Sequence, residues 1–284
     1  MFNVFRMHMY RVSRSRSTYI LAGLLFVFLL LTFGLAFIIF DDPFKLNVAT
    51  AFTGLSGKSE TVSPAVLHRF FIQSNDSVII ILTIFGVLLT HSDFSKGFVK
   101  NTYCMFERKS KLVLAKWCAL VACITITYVA LSVLGLAMGA LLRSFEPGEW
   151  DLYLRSFIVV YLCLVSMLTM VFMITSLFKS PVGGMVIGLV IATGVLQTVE
   201  QLIDLLIAKL SGADMDAVLE GMVGMGSGAE VFRISDYCLD NVYLSYSAGM
   251  GNADTIRTIV VALVYMALAL GLTMLLSEKK DVRC

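Results

Sequence analysis

Six long apolar segments, separated by stretches that carry the charge, constrain this chain of 284 residues more than any other feature. They cover about residues 19–40, 70–90, 117–142, 154–178, 181–206 and 256–276. Only 15% of the residues are charged, whereas soluble domains carry about 25%. A helix needs about 20 apolar residues to cross a bilayer. The pattern therefore predicts an all-α polytopic membrane protein with six transmembrane helices, in which residues 1–284 form a single domain.

The second segment is the weakest of the six. Its continuous apolar part covers only residues 78–90, and the polar run 73–77 interrupts its outer end. Such a run indicates either a polar-ended span that faces a cavity or a helix that bends there. We retain it as a span starting near Phe70, because the alternation of charge between the loops requires it.

The distribution of Lys and Arg predicts the orientation of the chain. Fourteen of the 22 lie in one set of alternating segments, made of the N-terminus, residues 91–116, Lys179 and the tail, and the other eight are spread over the opposite set. Positive charge stays on the cytoplasmic side. Both termini and the loop 91–116 are therefore expected to be cytoplasmic, and the long connection 207–255 extracytoplasmic. That connection contains a stretch at 231–246 that is compatible with short helices.

The residues before the first span form an amphipathic pattern. Phe2, Phe5, Met9 and Val12 fall on one helical face, and the basic side chains, such as Arg6 and Arg14, fall on another. This predicts an interfacial helix over residues 1–17, on the cytoplasmic surface. The alternative is a basic leader that only sets the topology. The first apolar run is too long for the core of a cleavable signal peptide.

Motifs for nucleotide binding or hydrolysis are missing from the sequence. Gly57-Lys58-Ser59 looks like the end of a phosphate-binding loop, but Phe52 occupies the position of its first glycine. Ser227 lacks the preceding glycine of a nucleophile motif, since Met225 stands there. No HExxH occurs, and the six cysteines form no CxxC pair. We therefore expect no catalytic residues, no metal site and no cofactor bound by this chain.

Two acids stand near the outer end of the fifth span. Glu200 and Asp204 have i, i+4 spacing, which places both carboxylates on one helix face. Acids inside a membrane are functional candidates because they are costly to bury. They are either pathway acids or residues that already lie in the wet interface.

Two small-residue motifs indicate close helix packing. Gly135 and Gly139 stand four residues apart in the third span, as do Gly184 and Gly188 in the fifth. This spacing allows two backbones to approach closely. The contacts are either within the chain or between two copies of it.

The loop 91–116 contains a basic amphipathic stretch. Phe94 and Phe98 fall on one face, Lys96 and Lys100 on another, and Gly97 lies between them. Exposed aromatic side chains on a basic helix are typical of a segment that docks into the groove of a partner. The alternative is a solvated loop that serves only to orient the chain.

With this loop, the chain resembles the type 2 permease family of ATP-binding-cassette (ABC) exporters. Members carry an acid, a glycine and a Lys-Asn pair after the second span, followed by a basic segment that ends in Ala-Lys. The matching positions here are Asp93, Gly97, Lys100, Asn101, Arg108, Lys109, Ala115 and Lys116. The resemblance covers the whole chain in topology, but its sequence content is mainly this loop. The weak second span departs from the family pattern.

The resemblance implies a membrane subunit in a bacterial plasma membrane, paired with a second permease copy as a homodimer. Each copy would grip a cytoplasmic ABC ATPase through Asp93, Phe94, Lys96, Gly97, Phe98, Lys100 and Asn101. ATP and Mg²⁺ would be bound by the ATPase, and this chain would contact lipids and no nucleic acid. The expected activity is export of a hydrophobic or amphipathic substrate, first a peptide or toxin and second a lipid or drug. The alternatives are a non-transporting membrane sensor or scaffold, and an intramembrane enzyme.

Overall fold

The computed structural model describes residues 2–41, 61–73, 76–91, 109–142, 144–145, 149–178, 181–210, 234–246 and 251–279. The first two helices, α1 (Phe2–Arg14) and α2 (Arg16–Asp41), meet at Ser15. The amide of Ser15 bonds to the carbonyl of Val12, and the amide of Thr18 bonds to that of Ser15, each at 3.2 Å. A single residue therefore joins the amphipathic leader to the first apolar helix.

Four of the helices in the described part of the chain are long and apolar enough to cross a membrane. Their qualifying stretches are Arg16–Gly34, Ser110–Leu141, Trp150–Leu177 and Asn252–Glu278. They belong to α2, α5 (Lys109–Leu142), α6 (Trp150–Leu177) and α10 (Asn252–Lys279). The chain thus has the helices of a helical membrane protein. Six spans and the side on which the termini lie stay predictions.

The second predicted span is divided in the structure. It consists of a π-helical turn (Arg69–Gln73) and the apolar helix α4 (Asp76–His91), and a short helix α3 (Pro64–His68) precedes it. With 16 residues, α4 is shorter than the other spans, in line with its short apolar run. Two short strands, β1 (Thr61–Val62) and β2 (Ser144–Phe145), pair in parallel beside this region.

The fifth predicted span is bent. It consists of α7 (Pro181–Ala192) and α8 (Val195–Leu210), whose axes differ by 55°. Thr193 and Gly194 form the turn between them, and Gly194 has a φ of 68°. This left-handed conformation costs glycine little and ends α7. The pair is therefore a broken span or a re-entrant segment, at the place where the sequence predicted one span over residues 181–206.

Helix α6 lies at the centre of the bundle, and α2 lies at its edge. In the most apolar stretch of α6, 61% of the residues are buried, against 11% in α2. Helix α10 packs along α6, and Ser166 donates a 2.7 Å hydrogen bond across the interface to the carbonyl oxygen of Ala262. The core around α6 includes Tyr128, Cys163 and Leu164, all fully buried.

A small unit packs against α6, α8 and α10. We call it the outer unit because the connection 207–255, to which it belongs, is predicted to be extracytoplasmic. It contains a 3₁₀ turn (Ser235–Tyr237) and the helix α9 (Leu239–Ser245), so short helices occur in the stretch where the sequence is compatible with them. The side-chain amide nitrogen of Gln73 donates to the backbone carbonyl oxygens of Tyr243 and Tyr246, the latter at 2.9 Å. This joins the π-helical turn to the end of α9.

Candidate functional site

The described residues include the two ends of the predicted coupling loop but not its middle. Asp93, Phe94, Lys96, Gly97, Phe98, Lys100 and Asn101 lie outside the described residues. Helix α4 ends at His91, and α5 begins at Lys109, eight residues before the predicted start of the third span. The first two turns of α5 therefore belong to what the sequence indicated as loop.

Lys116 joins these two helices where the loop leaves the bundle. Its Nζ donates a hydrogen bond to the carbonyl oxygen of Thr90 at 2.6 Å, and both residues are buried. The last carbonyls of a helix lack partners within the helix, and a cation near them also interacts favourably with the helix dipole. Lys116, which belongs to α5, therefore caps the C-terminal end of α4.

A second bond extends this connection to the central helix. Trp117, the next residue of α5, donates from its indole nitrogen to Oγ1 of Thr169 in α6 at 3.0 Å. We call the set Thr90, Lys116, Trp117 and Thr169 the loop root. A displacement of the loop would act on α4, α5 and α6 together.

Three of the predicted packing glycines contact other elements of the same chain. A Cβ on Gly135 would stand 3.4 Å from the ring of Phe71 in the π-helical turn. One on Gly184 would stand 2.9 Å from Cγ2 of Thr175, and one on Gly188 would stand 2.8 Å from Cγ2 of Thr83. Gly139 is buried in α5. The fifth span thus approaches α4 and α6 at positions where a side chain would collide.

The two predicted pathway acids face the outer unit. Asp204 is buried, and its two carboxylate oxygens accept the backbone amides of Ile234 at 2.8 Å and Ser235 at 3.1 Å. The carboxylate therefore satisfies amide donors at the start of the 3₁₀ turn, as an N-cap side chain does. A role of this acid in a pathway stays a prediction.

Glu200 stands one helical turn before Asp204 and belongs to a cluster that the sequence did not reveal. Cys238 is hydrogen-bonded to Glu200, and burial together with this bond raises the pKa of the thiol to about 12. Asp240 lies in the same cluster and is buried. Gln197 donates to Asn241 at 2.9 Å beside it. Polar side chains on α8 therefore hold the outer unit in place.

A buried network around His68 was also missed from the sequence. Nε2 of His68 lies 2.8 Å from the hydroxyl oxygen of Tyr128, and this hydroxyl donates to the carbonyl oxygen of Phe157 at 2.8 Å. Because the hydroxyl has only one hydrogen, we infer that Nε2 carries the ring proton. Nδ1 then accepts from Ser156, at 3.4 Å. Burial lowers the pKa of His68 to about 4, so the ring is neutral near pH 7.

The His68 network lies beside very little free space. The adjacent cavity, between Leu67 and Tyr153, has a volume of about 10 Å³, which is room for about one water molecule. The network therefore ties α3 to α5 through Tyr128 and to α6 through Ser156, and it leaves no room there for a substrate. The one signal for this network in the sequence was the presence of the polar residues Tyr128 and Ser156 inside apolar spans.

Within the described ranges, no group of three or more His, Cys, Asp or Glu side chains is placed to hold a metal ion. No protein-family model matches the chain, and no curated protein matches it in sequence.

Proposed function

We propose that this chain is the membrane-spanning permease subunit of a bacterial ABC exporter, driven by a separate cytoplasmic ATPase. The proposal combines the resemblance of the loop 91–116 with the geometry of the loop root. It assigns to this chain the translocation of a hydrophobic or amphipathic substrate, and to the partner the binding and hydrolysis of ATP. A peptide or toxin is the first substrate class to test, and a lipid or drug is the second.

The hydrogen bond between Lys116 and Thr90 is the observation that carries the proposal. A subunit without its own motor needs a mechanical connection between the docked partner and the transmembrane helices. Here the loop leaves α4 and re-enters at α5 beside one buried charge-assisted bond, which is among the stronger kinds of hydrogen bond in proteins. A solvated loop that only orients the chain has no need of such a bond.

In the proposed mechanism, ATP closes two partner ATPases and pushes the docked loops of two permease copies. The loop root passes this displacement to α4 and α5, and through the Trp117–Thr169 bond to α6. Glycine contacts at Gly184 and Gly188 let α7 lie closely against α4 and α6, so α7 moves with them. Substrate then crosses between the two copies, along α2, α4 and the bent pair α7–α8.

The test is purification of the tagged whole chain from its native membranes, followed by assay of MgATP hydrolysis in the purified material. We expect ATPase activity and a copurified polypeptide with a G-x-x-x-x-G-K-[ST] motif. Phe94→Ala together with Phe98→Ala should reduce the retained activity at least about tenfold, since aromatic anchors dominate interface energies. Phe106→Ala, in the same loop but outside the proposed contact, is the matched control.

Equal ATPase retention in the double variant and in the wild type would refute the loop assignment. Retention of an ATPase that no substrate stimulates, after reconstitution into liposomes, would favour the non-transporting sensor or scaffold. Absence of any nucleotide-binding polypeptide would refute both.

A further inference from the structure

A crevice between the leader helix and the bundle is not used by the proposed mechanism. Helices α1 and α2 form one side of it, and α4 and α5 form the other. It has two adjoining chambers, which share Val12, Thr18, Leu21 and Phe85 in their walls. We call the apolar chamber the inner chamber. We call the chamber that Arg11, Arg14 and Arg16 line the outer chamber.

The inner chamber fits a hydrocarbon chain. It has a volume of about 440 Å³, within the range of roughly 300–1,000 Å³ that is usual for small-molecule sites. Its walls are mainly aliphatic and aromatic, with Leu25 and Leu29 on α2, Leu82 on α4, and Ile126 and Ala130 on α5. Since most of the apolar stretch of α2 is exposed, the chamber lies at the lipid-facing edge of the bundle.

The outer chamber fits an anion. It has a volume of about 540 Å³, and Arg11, Arg14 and Arg16 line it together with the hydroxyl residues Ser15 and Ser17. No Asp or Glu is present among the described residues that line either chamber. Basic residues at the membrane surface attract anionic lipid headgroups.

Hydrogen bonds at the corner between α1 and α2 hold Arg14 and the junction of the two helices in place. The hydroxyl of Tyr19 donates to the carbonyl oxygen of Ser13 at 2.6 Å, across the α1–α2 junction. Arg14 donates to the hydroxyl of Tyr10 at 2.5 Å, and its guanidinium lies 5.9 Å from the centre of that ring. Ordering these side chains before a ligand arrives lowers the entropy cost of binding.

We propose that this crevice binds one anionic phospholipid. The phosphate lies among Arg11, Arg14 and Arg16 in the outer chamber, and an acyl chain fills the inner chamber between α2 and α5. The inference requires an apolar chamber that continues into a basic one, and it does not depend on the proposed transport function. The lipid would complete the packing of α2, which the described part of the chain leaves largely exposed.

Native mass spectrometry of the whole chain in detergent micelles tests the proposal. Phosphatidylglycerol and phosphatidylcholine with identical acyl chains are titrated separately. We expect one phosphatidylglycerol per chain, bound at least tenfold more tightly than phosphatidylcholine. Changing Arg11, Arg14 and Arg16 to Gln should lower the affinity for phosphatidylglycerol about fivefold per arginine. Ala130→Phe, which fills the inner chamber, should lower the affinity for both lipids.

Two matched controls separate this site from general attraction. Arg6→Gln removes a charge from an exposed position on α1, outside the outer chamber, and Val129→Phe enlarges an exposed neighbour of Ala130. Both should bind phosphatidylglycerol as the wild type does. Equal affinity for the two lipids, or an equal loss in Arg6→Gln and in the triple variant, would overturn the proposal. Displacement of the lipid by soluble glycerol phosphate at equal concentration would also overturn it, because the site would then recognise phosphate alone.

Discussion

Nζ of Lys116 lies 2.6 Å from the carbonyl oxygen of Thr90, and this bond closes the base of the segment that the sequence marks as a coupling loop. The two residues are 26 positions apart and belong to different helices. Burying the charge of a lysine is costly unless the ammonium group has a hydrogen-bond partner. The carbonyl oxygen of Thr90 at the end of α4 is such a partner. The loop root therefore joins the two ends of the predicted coupling loop to the bundle.

Lys116→Met should destabilise the protein by about 1.5–3 kcal/mol, because the variant keeps the aliphatic stem but loses a hydrogen bond from a charged donor. Thermal unfolding in detergent measures the change. The control is Lys111→Met, at an exposed position of the same helix, where a surface change should stay within about 0.5 kcal/mol. Equal effects of the two substitutions would show that the Thr90 bond contributes nothing specific.

Gly188→Ala should destabilise the protein by about 1–3 kcal/mol, the usual cost of overpacking. The new Cβ would stand 2.8 Å from Cγ2 of Thr83 and 3.2 Å from Cγ1 of Val171. Both neighbours are buried and branched at Cβ, so their side chains have little freedom to move.

Gly271→Ala is the matched control for this glycine, since nothing lies within 4 Å of its added Cβ in α10. Alanine favours the helix there by about 1 kcal/mol, so stability should stay level or rise. A Gly188→Ala protein as stable as Gly271→Ala would contradict the close approach of α7 to α4 and α6.

Asp204→Asn should loosen the outer unit without unfolding the bundle. The Asn side chain keeps one oxygen acceptor, but its NH2 group faces the other backbone N–H. That backbone N–H then has no acceptor, which costs about 1–3 kcal/mol. Hydrogen exchange over residues 234–246 should accelerate, and Cys238 should react faster with a soluble thiol reagent.

The control for Asp204 is Asp236→Asn in the same outer unit. Asp236 makes a partly exposed ion pair with Arg257 at 3.7 Å, and such pairs are worth about 0–1 kcal/mol. Exchange that accelerates equally in both variants would mean that the Asp204 bonds do not hold the outer unit.

His68 should make stability depend on pH. Its pKa falls from 6.5 to about 4 on folding because burial disfavours the charged ring. The unfolded chain therefore binds more protons between these two values, and stability decreases as the pH falls from 6.5 toward 4. At about 1.4 kcal/mol per pH unit, the loss reaches about 3 kcal/mol at pH 4.

The measurement for His68 is the difference in thermal stability between the wild type and His68→Gln at pH 7.5 and pH 4, in the same detergent. Gln keeps hydrogen-bonding groups but does not titrate. The wild type should lose more stability than the variant on acidification. Parallel loss in both proteins would show that another group causes the pH dependence.

The apolar pattern predicted the long helices well. The fourth and sixth spans, expected at 154–178 and 256–276, appear as Trp150–Leu177 and Asn252–Lys279, since long apolar runs leave few alternatives to a helix. The bend at Gly194 was missed because apolar residues continue on both sides of it, and hydropathy carries no information on φ.

Contacts between distant residues were not predictable from one sequence. His68 and Tyr128 are 60 positions apart, and no period or motif connects them. Likewise, the spacing of Glu200 and Asp204 placed them on one face but gave no sign that the backbone at 234–235 would meet it. Such pairs are set by tertiary packing.

Photo-crosslinking from the coupling loop in native membranes tests the central claim most directly. A photo-reactive phenylalanine analogue is placed at position 98 of the full chain, and at position 237 in the outer unit as the control. The account predicts that position 98 crosslinks to a polypeptide with a nucleotide-binding P-loop and that position 237 does not. Crosslinks from position 98 only to lipid or to this chain, or equal capture of the ATPase from both positions, would contradict it.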